Sequence, residues 1–387
     1  MRGLSVHQAP PFVIVALHFL TACIFWLISS FLELYLFLKK ELNLPLLVHT
    51  HLLGFALITM FGALFQMLPV VAGAVIKEPL KKALPSYLLL LFSVFVFLVG
   101  FSKGDRNILN FGATALLISI LFISSLMMYH LLPKKSFLPA VRGFKFSLSF
   151  LLAGTLFGYL FLLLGEPALF KLHYSFMLWG WVGGLIVSVS FQVIETFYTT
   201  PPYPKYLAWY FHPLLLLSLL VFQLGEESIY RLPIFLLYTF YALTTIYLLL
   251  KSKRKVLEYT PRFWLLGMIL LLSACALFLI GKFIPFLLVF GLFFSAIIVG
   301  MMQRIIPFLV WFHLSGFGIK SAPLMFEILP PLRQGLTFYS FLALCLSLPL
   351  GFLSKDLLFI PIFFHLLTAS VLFFNIIGGV KVYLKNR

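Results

Sequence analysis

Long apolar runs, broken by short polar segments, repeat along the whole chain. Runs that could cross a bilayer as helices fall near 11–38, 45–76, 84–101, 107–132, 144–165, 169–199, 207–224, 230–250, 262–281, 284–312, 334–352 and 357–384. A spanning helix needs about 20 predominantly apolar residues, and twelve such runs leave no stretch for a soluble domain. The pattern predicts an all-α polytopic membrane protein, with residues 1–387 forming one integral membrane domain. The first run is too long for a signal-peptide core and is read as a retained span.

One local pattern recurs inside these runs. The second opens on His49 and His51 and closes with Gly62, Gln66 and Pro69. The ending returns in the tenth run as Gly300, Arg304 and Pro307, and in weaker form in the sixth as Ser188, Gln192 and Glu195. Aligning Gln66, Gln192 and Arg304 superimposes runs two, six and ten, at offsets of 126 and 112 residues. Each offset covers four runs, so the chain divides into three pseudo-repeated four-helix units, about 1–135, 136–255 and 256–387. Repeat interfaces are natural places for sites in membrane proteins. Helix-end grammar alone (glycine for close packing, a polar residue at the interface, proline as terminator) gives a second account of the same pattern.

Composition supports the membrane reading. The chain is 62% hydrophobic and 10% charged, against about 25% charged in soluble domains. A net charge of +17 would suggest a nucleic-acid partner in a soluble protein; here it reports topology and a lipid bilayer, with no nucleic acid. The N-terminus, the loops after even spans and the C-terminal tail hold 20 Lys and Arg, and the loops after odd spans hold 8. The positive-inside rule then puts both termini in the cytoplasm, which for a bacterial protein means the inner membrane. The run Lys251 to Lys255 marks an inner loop. Cys23, Cys275 and Cys345 lie inside spans without CxxC spacing and read as small packing residues, not a disulfide framework or a zinc site.

Imidazole inside a membrane is costly and by default marks a site. With both termini inside, His49, His51, His173 and His365 gather in the outer half, whereas His18, His130, His212 and His313 fall on the inner side and His7 in the leader. His49 and His51 are two residues apart, about 200° around a helix, so one centre cannot use both. His51 shares its stripe with Ile58, Gly62 and Pro69, and His173 shares one with Gly180, Gly184 and Ser188; such small residues admit a neighbouring helix or a flat ring. His51 and His173 are therefore the first choice as ligands of one iron or of separate metals, with His49, His365 and His313 in reserve. At the inner ends, Gln66, Gln192, Glu195 and Arg304 are the polar candidates, and Glu195 with Arg304 could form a pair or relay a proton. Glu33 reads as a solvated residue at the outer interface, Trp179 and Trp181 as belt or packing residues, and the many phenylalanines as lipid-facing bulk.

Twelve spans in three groups of four, with His opening span two and a Gly-to-Pro ending, resemble the haem–copper oxidase subunit I superfamily. The segments Thr50-His51-Leu52, Gly62 to Pro69, Leu172-His173, Gly180-Trp181, Phe191-Gln192-Val193, Thr200 to Pro204 and Pro307 to His313 resemble bacterial membrane proteins beside that superfamily, in the style of the NnrS haem- and copper-containing proteins linked to nitric oxide stress. The resemblance implies haem, with copper as a second cofactor, and cytochrome c, quinol or other oxidase subunits as partners. It places His51 where the superfamily has a low-spin haem ligand, and His173 in the span that supplies a copper ligand. Two departures bound it: span seven has only His212, at its start, and residues 284–300, where the superfamily carries His-x-His, have none. The expected function is electron transfer or handling of a diatomic gas such as nitric oxide, without a complete oxygen-reducing centre. The alternatives are a transporter built on four-helix repeats and a cofactor-free assembly subunit.

Overall fold

The computed structural model describes residues 8–134, 138–253, 258–319 and 321–387; His7, Arg254 and Lys255 lie outside them. Twelve helices long and apolar enough to cross a membrane follow one another: α1 (Phe12–Lys39), α2 (Leu44–Ala72), α3 (Pro79–Lys103), α4 (Arg106–Leu131), α5 (Pro139–Leu164), α6 (Pro167–Tyr198), α7 (Lys205–Phe222), α8 (Ser228–Leu250), α9 (Thr260–Leu279), α10 (Phe283–Gly316), α11 (Pro331–Leu353) and α12 (Lys355–Asn386). No strand occurs among the described residues. A helix satisfies its backbone within the segment, which is what lipid demands. Polar residues start several helices: Asn43 Oδ1 accepts from the Leu46 amide at the head of α2, and Asp105 Oδ1 from the Asn107 and Ile108 amides at the head of α4.

Successive helices pack side by side, and α12 returns to pack against α1, closing the ring. α2, α6 and α10 form its inner layer. In an 18-residue apolar stretch of α2 and of α6, 78% and 83% of the residues are buried, and α10 is buried without interruption from Phe293 to Gln303. These three helices, with Val15 and Phe19 of α1, enclose an apolar cavity of about 150 Å³. Its wall repeats with the sequence offsets of 126 and 112: Thr59 answers Leu185 and Ile297, Ala63 answers Val189 and Met301, and Val70 answers Thr196 and Phe308.

The first offset is also visible in the backbone. α2 is π-helical over Thr50–Leu57 and α6 over Phe176–Gly183, and each returns to α-geometry at once, at Ile58 and Gly184. Both boundaries differ by 126 residues. π-helical turns inside α-helices concentrate at functional sites, and both lie at the end of the bundle that carries His49, His51 and His173.

Two expectations need correction. Pro69 and Pro307 do not terminate their helices: α2 runs on to Ala72 and α10 to Gly316. A proline forfeits one backbone hydrogen bond, and neighbouring helices hold the next turn in place. Nor are the phenylalanines mainly lipid-facing. Phe12, Phe19, Phe55, Phe61 and Phe65 are almost completely buried; of the two readings of Trp179 and Trp181, belt or packing, the structure bears out packing, since both lie in the core.

Candidate functional site

The outer histidines meet as two pairs. His49 and His173 face each other across α2 and α6, with ring centroids 6.4 Å apart and planes 13° from parallel. His49 Nδ1 donates to the Pro45 carbonyl and His173 Nδ1 to the Gly154 carbonyl, both at 2.8 Å. A carbonyl has no proton to give, so each ring carries its proton on Nδ1. In the neutral ring Nε2 is then the basic nitrogen. Phe97 and Phe101 of α3 pack around His49. On α5, Gly158 leaves the space for His173: a Cβ there would collide with the ring at Nδ1 and Cε1. Gly158→Ala is expected to push His173 away from the Gly154 carbonyl and cost about 1–3 kcal/mol, measurable as a lower unfolding temperature in detergent.

The second pair is His51 with His365 of α12, centroids 6.2 Å apart and planes tilted by 59°. His51 Nε2 is 2.8 Å from Ser295 Oγ on α10. His365 Nδ1 donates to Glu33 Oε2 of α1 at 2.8 Å. The side chain of His365 is 6% exposed, and its Nε2 is buried without a hydrogen-bond partner. A buried acceptor left alone is costly, and a carboxylate behind the far nitrogen is the usual support of a metal-bound imidazole. Trp26 closes the pair, stacked on Phe55 and 5.3 Å from His365.

This arrangement leaves separate metals, not one shared iron, as the form of the His51 and His173 reading. His51 and His173 do not face each other; each has a different histidine partner. The two sides of α2 separate His49 from His51, as helix geometry requires, and both sides are used. His49 moves from reserve to a direct partner of His173. Glu33 is not simply solvated: it is bonded to His365.

His313 is remote from both pairs. It lies 18 residues beyond Ser295 on α10, about 27 Å along the axis, among Phe12, Phe312 and Tyr383. Among the described residues, the remaining histidines have partners of their own. His18 Nδ1 donates to Ile14 O, His130 Nδ1 to Leu126 O, and His212 Nε2 lies within hydrogen-bond distance of Ser188 Oγ and Gly184 O.

The polar candidates at the opposite end do not form the expected pair. Arg304 Nη1 binds Glu258 Oε1 at 2.8 Å, and Glu195 Oε1 accepts from the Tyr203 amide at 2.8 Å. Glu195 thus fixes the connection to α7, and Arg304 and Glu258 line a second cavity, of about 360 Å³, with Gln303, Gln334 and apolar residues such as Trp311 and Phe326. Tyr203, in the connection itself, bonds Thr245; burial, reinforced by the neighbouring Tyr241, holds its phenol well above the usual range. Gln66 and Gln192 both line the central cavity; Gln192 Nε2 donates to Thr196, whereas Gln66 Oε1 is buried without a partner. Sequence reasoning missed Ser295 and Glu258, and no motif marks either.

Among the described residues, no group of three or more His, Cys, Asp or Glu gathers as a metal-holding set. No protein-family model matches the chain, and no curated protein matches it in sequence. The fold defines an all-α, multi-pass membrane protein.

Proposed function

We propose that this chain is a haem-binding membrane protein of oxidase-like architecture that transfers electrons or handles a diatomic gas such as nitric oxide. The observation that carries the reading is the meeting of four histidines as two pairs at one end of the bundle. The ring centroids are 6.2 Å apart in one pair and 6.4 Å in the other, close enough for the two rings of each pair to serve one metal. The donor chemistry fits. His365 offers an orphaned buried nitrogen oriented by Glu33, so His51 and His365 would hold haem iron. His49 and His173, each with its proton tied to a carbonyl, would hold copper or a second iron. Such a metal, when bound, supplies one-electron chemistry and an affinity for diatomic ligands. The chain's own part is orientation and dryness: Glu33, Pro45 and Gly154 fix three rings, Ser295 holds the fourth, and Trp26 and Phe55 pack over the His51–His365 pair.

Protein purified from a haem-replete host should show a Soret band and bound iron. His51→Ala and His365→Ala should each abolish or shift the band. His49→Ala and His173→Ala should remove copper or a second iron while leaving it. No band and no bound iron or copper in the folded protein would sink the proposal.

A permease is the second reading, favoured by the cavity between α2, α6 and α10 and by the cavity around Arg304. Solute uptake by vesicles carrying the colourless protein would support it.

A further inference from the structure

The central cavity is separate from the histidine pairs. Its wall runs from Thr59 to Val71 on α2, twelve residues or about 18 Å of helix. Thr59, Leu185 and Ile297 are buried at the histidine end, and Val70, Thr196 and Phe308 are half-buried at the other. The space is thus closed in at the histidine end and less enclosed at the Arg304 end, which the charge asymmetry assigns to the cytoplasmic side. No Asp, Glu, Lys or Arg lines it. A volume of about 150 Å³ drawn out over that depth makes a long, narrow space, the shape of an extended chain. Apolar cavities of this size take apolar guests rather than water, and Met60, Met67, Met301 and Met302 give the wall an adaptable surface. Part-way along, the partnerless Gln66 Oε1 offers the only orphaned acceptor of the wall among the described residues.

We infer that this cavity binds a single aliphatic chain, from a membrane lipid or an isoprenoid, inserted from the Arg304 end with its tip toward Thr59. Small side chains at Ala63 and Val189, on facing helices at the same repeat position, hold the passage open. Bulk at these two positions closes it without touching either histidine pair.

Native mass spectrometry of the full-length protein in detergent, followed by solvent extraction, tests the inference. The expected result is close to one chain-bearing molecule per polypeptide surviving delipidation. The extract distinguishes a phospholipid from an isoprenoid quinone, and either supports the inference. Ala63→Phe combined with Val189→Phe should lose the molecule while keeping monodispersity and helical content. Should that variant not fold, photolysis of the unaltered protein with a diazirine-bearing fatty acid replaces it, with labelled peptides expected within 59–71, 185–197 and 297–309. No retained molecule, full retention by the double variant, or labels only on the outer face of the ring would overturn it. The haem proposal is read from the Soret band and metal content, so either can fail alone.

Discussion

Gly112→Leu is expected to destabilise the protein by about 3 kcal/mol or more, the upper end of the range for overpacking. α3 and α4 form a hairpin whose backbones touch at two glycines. A Cβ on Gly112 would lie 2.6 Å from both Cα and N of Phe97, and one on Gly100 would lie 2.5 Å from Cα of Leu109. Both obstacles are backbone, which cannot rotate aside as a side chain can. In lipid, where helices gain little from burying apolar surface against each other, such close approach is what holds a pair together. A leucine at 112 must therefore force the helices apart along much of their length. Phe97 and Phe101 would move with α3, and both pack against His49, so the His49–His173 pair should loosen as well. Thermal unfolding in detergent reads the first effect, and metal content the second. Gly291→Leu is the control: a Cβ there meets nothing within 4 Å, and a change within about 0.5 kcal/mol is expected. Equal stability of the two variants would refute the close contact.

The contrast between these glycines shows which features one sequence makes legible. The helices were legible because lipid leaves the backbone no alternative, and each long apolar run had to become one. The inner layer was legible through Gln66, Gln192 and Arg304, which mark α2, α6 and α10, the three helices that line the central cavity. Whether a phenylalanine faces lipid or protein was not legible, since both surroundings are apolar and the same residue suits either. The histidine partners were hidden for another reason. His365 and Glu33 are 332 residues apart and meet only because α12 closes the ring onto α1. His51 and His173 looked alike as stripes on separate helices, but the direction of each stripe depends on how α2, α6 and α10 are rotated, and a π-helical stretch in two of them alters that rotation. Arg304 and Glu195 shared a depth and opposite charges, yet Glu258 and the Tyr203 amide lay nearer.

Trp179→Ala should cost about 3 kcal/mol, the lower end of the range for losing a large aromatic from a core, because in a bilayer the loss is of packing contacts rather than of transfer from water. Trp179 is fully buried on the π-helical stretch of α6. Its ring lies 4.8 Å from Tyr238 of α8, 5.1 Å from Phe278 of α9, and 5.4 Å and 5.0 Å from Phe286 and Phe290 of α10. One side chain thus joins α6 to α8, α9 and α10, and the Tyr238 hydroxyl donates to the Trp179 carbonyl behind it. Trp179→Phe separates two contributions. The indole N–H is buried without a partner, so phenylalanine gives up some packing area and also removes an unsatisfied donor, whose burial costs about 1–3 kcal/mol. The two effects oppose, and the phenylalanine variant should fall within about 1 kcal/mol of the parent protein. Chemical unfolding of both variants in detergent measures the difference. A phenylalanine variant as unstable as the alanine one would mean that the indole nitrogen is bonded after all. An alanine variant of undiminished stability would mean that α6 is held to α8, α9 and α10 by contacts other than this ring.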